Sequence, residues 1–279
     1  MEPSPQTLIA VLRNSHERLA SLAHAVSEEF LTDQSYCTDW TVAQVLSHLG
    51  SGAEIALLML ESALSGEPMD REAFVPIWDT WNAKTPAQQA ADCLPADDAH
   101  ISRLEGLTDA ELGRISLDFF GMKLDAAGVV RLRLSEHAVH TWDVAAAIDP
   151  VAVVAPEAVA QLIGQLFWLA ERTGRPAEDP FRVRLRGSYP DVDFLLEVAG
   201  KVALTPWPAE GSGPAGDAGP AGGAGPAGGA GSADGEIHLP TEALLRLMYG
   251  RLNAAHTPPA EVIGAPGLLD QVRAVFPGY

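Results

Sequence analysis

Residues 135–144 read SEHAVHTWDV, and they place four groups able to bind a metal or move a proton within an apolar helical segment. The helix is predicted over about 125–148 and ends before the Asp-Pro pair at 149–150, because the residue ahead of a proline disfavours helical backbone. Apolar residues surround Glu136 and His140 on nearly every side. The stretch therefore predicts a helix inside a bundle, whose polar side chains need partners there.

Three more long helices are predicted ahead of this one. Apolar residues recur three and four apart over about 7–30, and a second helix begins at Thr41, where Gln44 completes the spacing of a capping box. A third runs over about 76–105, with limits left open by two prolines. Four long helices joined by turns indicate a four-helix bundle for residues 1–150.

The residue pattern changes from helical to strand-rich in residues 151–279. A helix is predicted over 157–172, followed by the alternating runs FRVRLRGS, VDFLLEVAG and VALTPW and then by EIHLP, all typical of strands. Residues 209–235 are rich in Gly, Ala and Pro with an imperfect GPAGGA repeat, which predicts a disordered hairpin insertion. Two short helices follow. The predicted fold class is thus α+β, with a helical bundle and a small C-terminal α+β domain.

Composition narrows the classes of function. The formal net charge is −19, from 18 basic and 37 acidic residues, which argues against a nucleic-acid or anionic-membrane partner. No apolar run reaches the length of about eighteen residues that spans a membrane, so we expect a cytoplasmic protein, as monomer or homodimer. Cys37 and Cys93 are too few for a disulfide framework, and we interpret both as small apolar residues. Any metal would then be held by histidine and carboxylate.

Helical spacing brings particular polar groups together. Glu136 and His140 are four residues apart and share one face, with Asp143 one turn further along it. A third metal ligand can come from another helix, and His48 is the best candidate because its neighbours should face the core. His137 lies about a quarter-turn away from Glu136 and is interpreted as peripheral. The alternatives are a hydrogen-bonded core histidine for His48 and a solvated surface pair for the other two.

Two stretches resemble one known family. DWTVAQVLSHLG and RLRLSEHAVHTWDVAAAI are similar to the metal-binding signature of the mycothiol-dependent maleylpyruvate isomerase family, within the wider DinB-like bundle superfamily. The stretch EIHLPTEALLRLMYGRL is similar to the family's C-terminal domain, a small sterol-carrier-like α+β unit. The resemblance implies zinc held by His48, Glu136 and His140, and mycothiol as cosubstrate. The Gly/Ala/Pro insertion is a departure from the family.

This ligand set suits catalysis. Two imidazoles and one carboxylate leave positions open on a divalent metal, and the same donors also suit iron, nickel or cobalt. An open zinc can hold a thiol as thiolate, which would either isomerise an enedioate such as maleylpyruvate or transfer the thiol to another electrophile. A non-catalytic metal- or ligand-binding protein and a thiol-independent zinc hydrolase stay open as alternatives.

Further roles follow from the proposed substrates. An anionic substrate calls for an arginine that can bind a carboxylate or the cosubstrate. Arg251 is the leading candidate, ahead of Arg131 and Arg133, because its Gly-Arg position resembles that of the family. The alternative for Arg251 is a helix-end residue that interacts with the negative end of the helix dipole. For Asp143 two roles are open. It either orients a ligating imidazole through a hydrogen bond or accepts a proton during the addition. We interpret Trp40 as a core residue.

Overall fold

A computed structural model of the chain describes residues 3–66, 70–119, 121–208 and 233–278. These residues form two compact units, Met1–Leu162 and Ile163–Tyr279. The first is mainly helical and the second contains a sheet, so the predicted α+β class is confirmed. The domain boundary expected after residue 150 stays a prediction, since the compact units divide after Leu162.

The first unit is built on four long helices. In chain order its helices are α1 Pro5–Ala25, α2 Val42–Ser65, α3 Phe74–Asn82, α4 Pro86–Glu105, α5 Asp109–Leu112, α6 Ala126–Ile148 and α7 Pro156–Leu162. Helix α2 packs on α4, α1 packs on α6, and α2 also contacts α6. The long helices α1, α2, α4 and α6 thus enclose one apolar core, as expected for a four-helix bundle. A short hairpin, β1 Leu117–Phe119 and β2 Met122–Leu124, precedes α6 and was not predicted.

Local chemistry sets the helix starts. The Thr41 side chain accepts a hydrogen bond from Gln44 N, and the Gln44 side chain accepts one from Thr41 N, so the predicted capping box is present. The third predicted helix is instead two helices, α3 and α4. Helix α4 starts afresh at Pro86, because Thr85 and Gln88 form a second capping box and proline suits the first helical position.

Helix α2 is the one helix, among the residues that the structure describes, with the length and apolar composition of a membrane span. Half of the apolar 18-residue stretch within this helix is buried inside the unit. Leu46 and Leu49 of this helix are fully buried and pack with Trp81 and Cys93 in the core. Its apolar character is therefore accounted for by contacts within the bundle.

The second unit is a five-stranded sheet with helices. Its elements are α8 Leu166–Thr173, β3 Phe181–Ser188, β4 Val192–Val198, β5 Val202–Pro206, β6 Gly235–Pro240, α9 Thr241–Met248, β7 Glu261–Ile263 and α10 Leu268–Val275. The strand order is β5-β4-β3-β6-β7, and only the β3–β6 pair is parallel. In β3, buried Val183 and Leu185 alternate with arginines, the pattern predicted for a sheet with one wet face.

The connection between β5 and β6 differs from the prediction of a hairpin. The two strands run in the same direction, with β4 and β3 between them, so the chain crosses over rather than turning back. Gly235, the last residue of the predicted disordered segment, is the first residue of β6. Residues 209–232 of that segment lie outside the described residues.

Candidate metal centre

Side chains from α2 and α6 converge in the first unit. His48 Nε2 lies 3.2 Å from Glu136 Oε2, and His140 Nε2 lies 3.7 Å from the same oxygen. One donor atom from each of the three residues lies within 4.8 Å of the others. Ligand atoms about 2.1 Å from a tetrahedral ion are roughly 3.4 Å apart. The three side chains therefore fit around one divalent cation with little movement.

The cluster is open on one side. The exposed fractions are 36% for the His48 side chain, 45% for Glu136 and 10% for His140. All three side chains are carried by helices rather than loops. Glu136 and His140 lie on successive turns of α6, and His48 lies on α2, which packs against α6. Solvent access together with a rigid frame is the arrangement that a catalytic metal needs.

Asp143 fixes the orientation of His140. Its Oδ2 lies 2.8 Å from His140 Nδ1, and the Asp143 side chain is fully buried. With Asp143 ionised, His140 carries its proton on Nδ1, which leaves Nε2 free to bind a cation. The Cys37 thiol donates to the same Oδ2 over 3.1 Å. The prediction of a purely apolar role for Cys37 is therefore wrong.

The local electrostatics favour the protonation states of Glu136 and His140 that can bind a metal. Desolvation acts to raise the pKa of Glu136, but the hydrogen bond from His48 and the charge of His140 outweigh it and bring the pKa to about 2. Burial lowers the pKa of His140, although its hydrogen bond to Asp143 acts in the opposite direction. A carboxylate and a neutral imidazole, the forms that bind metals, are thus favoured at neutral pH.

Trp40 packs beside both histidines. Its ring centroid lies 5.0 Å from that of His48 and 5.9 Å from that of His140. The same indole packs against the apolar core of the bundle. Trp40 is thus a half-buried residue at the edge of the core, and it also forms a wall of the candidate site.

Arg133 is not placed as a substrate-binding arginine. It is 7% exposed, and its Nη2 donates to Leu49 O over 2.8 Å and to Asp97 Oδ1 over 2.9 Å. Because its guanidinium is already paired with a fully buried carboxylate, that of Asp97, Arg133 is removed from the candidates. Arg131 is half-buried on α6. Arg251 lies in the second unit, 5% exposed, and its Nη1 donates to Tyr249 O over 2.7 Å.

A second polar cluster was missed in the sequence. Asp97 Oδ2 lies 2.8 Å from His16 Nδ1 and 2.9 Å from His137 Nε2. His137 is fully buried and belongs to this cluster, outside the group formed by His48, Glu136 and His140. Burial acts to raise the pKa of Asp97, but His137 and His16 outweigh it and hold the pKa well below its usual range. The signal was available, since Asp97 lies at helical spacing between Cys93 and Ile101, both buried.

The second unit carries a separate cleft. Its volume is about 800 Å³, and its lining includes Arg186, Asp193, His238 and Glu261. The cleft lies at the ends of β3 and β6 and contains none of the site residues predicted from the sequence.

Residues 12–145 match the sequence profile of a family described as the mycothiol maleylpyruvate isomerase N-terminal domain. This part of the chain, slightly less than half of it, is similar to that domain family. The matched residues include His48, Glu136 and His140, so the whole candidate metal centre lies within the matched part. No curated protein matches the chain.

Solved structures extend the likeness to most of the chain. The fold is similar to the crystal structure of the mycothiol-dependent maleylpyruvate isomerase, with a TM-score of 0.63, 12% sequence identity and 93% of each chain covered. A crystal structure of a histidine-to-alanine mutant of that isomerase gives the same values. At this identity the likeness shows a shared fold, including both the bundle and the C-terminal sheet.

Proposed function

We propose that this chain is a metal-dependent enzyme that uses mycothiol as cosubstrate and adds the thiol, as thiolate, to an electrophilic small molecule. The observation that carries the proposal is the convergence of His48, Glu136 and His140 within the part of the chain that matches the isomerase domain family. The reaction is either the cis-trans isomerisation of a maleylpyruvate-like enedioate or the transfer of the thiol to an electrophile.

The three converging residues would hold the metal. Two imidazoles and one carboxylate are the donors of many catalytic zinc sites, and we propose zinc, although other divalent metals accept the same donors. When bound there, the cation supplies positive charge that stabilises a thiolate at neutral pH. The exposed side of the Glu136 side chain leaves room for a small-molecule thiol to approach.

Asp143 is proposed to orient His140. Its carboxylate holds the proton on His140 Nδ1 and so directs Nε2 towards Glu136. Full burial of Asp143 supports this role over direct proton transfer to a substrate, because a proton acceptor must come within hydrogen-bond reach of the reacting group.

The isomerase and transferase reactions share their first step. Thiolate addition to the cis double bond of an enedioate gives a single bond that can rotate. Elimination then restores the thiol and leaves the trans isomer, whereas a transferase would release the adduct. A dicarboxylate substrate needs a cationic partner, and Arg251 stays our proposal for that role, with Arg131 as the weaker candidate.

The proposal is tested by calorimetric titration of mycothiol into three samples, namely zinc-loaded protein, metal-stripped protein and the zinc-treated Glu136→Gln variant. We expect binding with proton release in the zinc-loaded protein alone, because the thiol ionises only beside the metal. Equal binding in all three samples would indicate a ligand-binding protein without metal chemistry. No binding in any sample would favour a thiol-independent zinc hydrolase.

The products separate the two reactions. Incubation of the zinc-loaded protein with maleylpyruvate and catalytic mycothiol is followed by proton NMR. A trans product with the thiol unchanged supports isomerisation, and a thioether that consumes one thiol per substrate supports transfer. Arg251→Lys keeps the charge but loses the bidentate fork. We expect it to raise KM for a dicarboxylate substrate and to leave zinc binding unchanged.

A further inference from the structure

Arg133 links the two helices that carry the candidate ligands. It lies on α6, three residues before Glu136, and its Nη2 donates to Leu49 O on α2 over 2.8 Å. Leu49 directly follows His48. The α2 backbone next to one ligand is thus hydrogen-bonded to the helix that carries the other two.

Asp97 on α4 balances the charge of this arginine. Its Oδ1 accepts from the same Arg133 Nη2 over 2.9 Å, and Asp97 is fully buried. Its Oδ2 faces His137 on α6 and His16 on α1. All four long helices are therefore joined by one buried polar cluster, which we call the Asp97 network and define as His16, Asp97, Arg133, His137 and the Leu49 carbonyl.

Gly52 makes room for the arginine. It lies four residues after His48 on α2, and a Cβ at this position would come 2.9 Å from Arg133 Nη1. That distance is shorter than a normal contact, so any larger residue must displace the guanidinium. The absence of a side chain at Gly52 therefore leaves the space that the Arg133 guanidinium of the Asp97 network occupies.

A second metal site is the alternative interpretation of this cluster. His16, Asp97 and His137 each offer a ligand atom, and these atoms lie within 4.8 Å of one another. However, Arg133 already balances the charge of Asp97, and a divalent cation next to a guanidinium would be repelled. The two imidazoles also have a carboxylate oxygen as hydrogen-bond partner without a metal. The geometry thus favours a structural linkage.

We propose that Asp97 and Arg133 are positioning residues for the candidate metal centre, which set the separation of α2 and α6 and hence of His48 from the Glu136–His140 pair. They act through the Leu49 carbonyl and bind neither metal nor substrate. The inference rests on the proposed metal-dependent function. The separation of α2 and α6 matters there because ligand atoms from both helices must bind one ion.

Gly52→Ala is the sharpest test, because only the end of the Arg133 side chain opposes the new methyl group. Alanine favours helix more than glycine, so a role limited to helix stability predicts an equal or higher Tm. Gly106→Ala at the end of α4 is the matched control, since the nearest atom to its Cβ would be a backbone oxygen at 3.5 Å. Asp97→Asn removes the balancing charge with little change in volume.

Two readouts are taken on each variant. In cobalt-loaded protein we expect Gly52→Ala and Asp97→Asn to change the visible absorption spectrum and to weaken metal binding about 10-fold or more, with Gly106→Ala matching wild type. In metal-free protein, NMR of the imidazole nitrogens should show shifted ring signals for His48 and His140 in Gly52→Ala. In Gly106→Ala these signals should match those of wild type.

The outcomes separate this inference from the proposed function. If wild-type protein binds no cobalt or zinc, the proposed function fails, and the ring signals of the metal-free protein still decide whether Arg133 positions the histidines. If Gly52→Ala keeps the wild-type ring signals and the wild-type metal affinity, the positioning role is overturned. Should Asp97→Asn fail to fold, the Gly52→Ala comparison decides alone. A stoichiometry of two metals per chain, with one lost in Asp97→Asn, would favour the second metal site.

Discussion

At the scale of single residues, the candidate centre depends on three side chains held by helices. We predict that His48→Ala, Glu136→Ala and His140→Ala each weaken zinc binding by at least about 10- to 100-fold, because each removes one of three donors. The measurement is zinc retained against a competing chelator. His24→Ala, an exposed histidine on α1, is the control and should behave as wild type. Stoichiometric zinc in all three site variants would exclude this ligand set.

Asp143 tests the hydrogen bond that orients His140. We predict that Asp143→Asn lowers zinc affinity about 10-fold while zinc still binds, because an amide cannot hold the imidazole proton as strongly as a carboxylate does. The affinity is measured with the same chelator competition. An unchanged affinity combined with a large loss of kcat would instead support a proton-transfer role for Asp143.

His100 gives a prediction for pH dependence. It is 1% exposed, its Nδ1 makes no hydrogen bond with any residue in the described ranges, and burial followed by the charge of Arg133 lowers its pKa to about 3. The unfolded chain takes up a proton below about pH 6.5 while the folded chain does not, so His100 lowers the free energy of unfolding as pH falls from there towards 3. Between these pH values the contribution of His100 lowers the free energy of unfolding by about 1.4 kcal/mol per pH unit.

Replacement of this histidine should flatten that dependence. We predict that His100→Leu is at least as stable as wild type near pH 7.5, because a buried nitrogen without a partner is removed. Between pH 6 and pH 4.5 its free energy of unfolding should fall less steeply, as measured by urea unfolding. His24→Gln is the control for an exposed histidine. A slope equal to that of wild type in His100→Leu would show that other groups cause the acid sensitivity.

At the scale of elements, the start of α2 is set by its capping box. We predict that Thr41→Ala lowers the free energy of unfolding by about 1 kcal/mol, because the backbone N–H of Gln44 loses the Thr41 hydroxyl as its acceptor. The measurement is urea unfolding of metal-free protein. Thr80→Ala, at an exposed position within α3 that is not a cap, is the control. Zinc affinity should stay close to wild type in Thr41→Ala, since His48 lies two turns further along the helix. A large loss of zinc affinity would show that α2 moves as a whole.

Helix α6 shows how far an element can be predicted. Its limits follow from local signals, with Asp125 as the N-cap and the Asp-Pro pair after Ile148. Its polar residues are buried on several faces, which explains the lack of a clear apolar stripe. Periodicity alone indicates that such a helix is central. It does not show that His137 faces Asp97, because this depends on which neighbour packs there.

At the scale of the whole molecule, the connection between β5 and β6 must span the sheet. Trp207 N is bonded to Asp193 O and Asp234 N to Arg182 O, and strand spacing and rise place the two anchored ends roughly 20 Å apart. We predict that deletion of residues 213–229 leaves Tm nearly unchanged, because the remaining residues can span about 30 Å and a shorter loop loses little. Thermal unfolding provides the measurement.

A longer deletion serves as the contrast. Removal of 209–232 leaves a link that reaches only about 10 Å, so β6 would detach and Tm should drop by several degrees. If both deletions leave Tm unchanged, the strand order β5-β4-β3-β6 is wrong. If the shorter deletion already lowers Tm strongly, the Gly/Ala/Pro tract makes contacts that its composition does not predict.

The sequence by itself determined the four-helix bundle, the α+β C-terminal unit and the candidate ligands His48, Glu136 and His140. These follow from helical and strand periodicity, capping residues and a resemblance carried by two motifs, all of which are local in the chain. Only the tertiary structure decided the rest, namely that Arg133 faces Asp97 and Leu49 instead of a substrate, and that β5 and β6 are parallel. Such contacts join residues far apart in sequence, and their partners are fixed by helix packing and strand order, which no local pattern encodes.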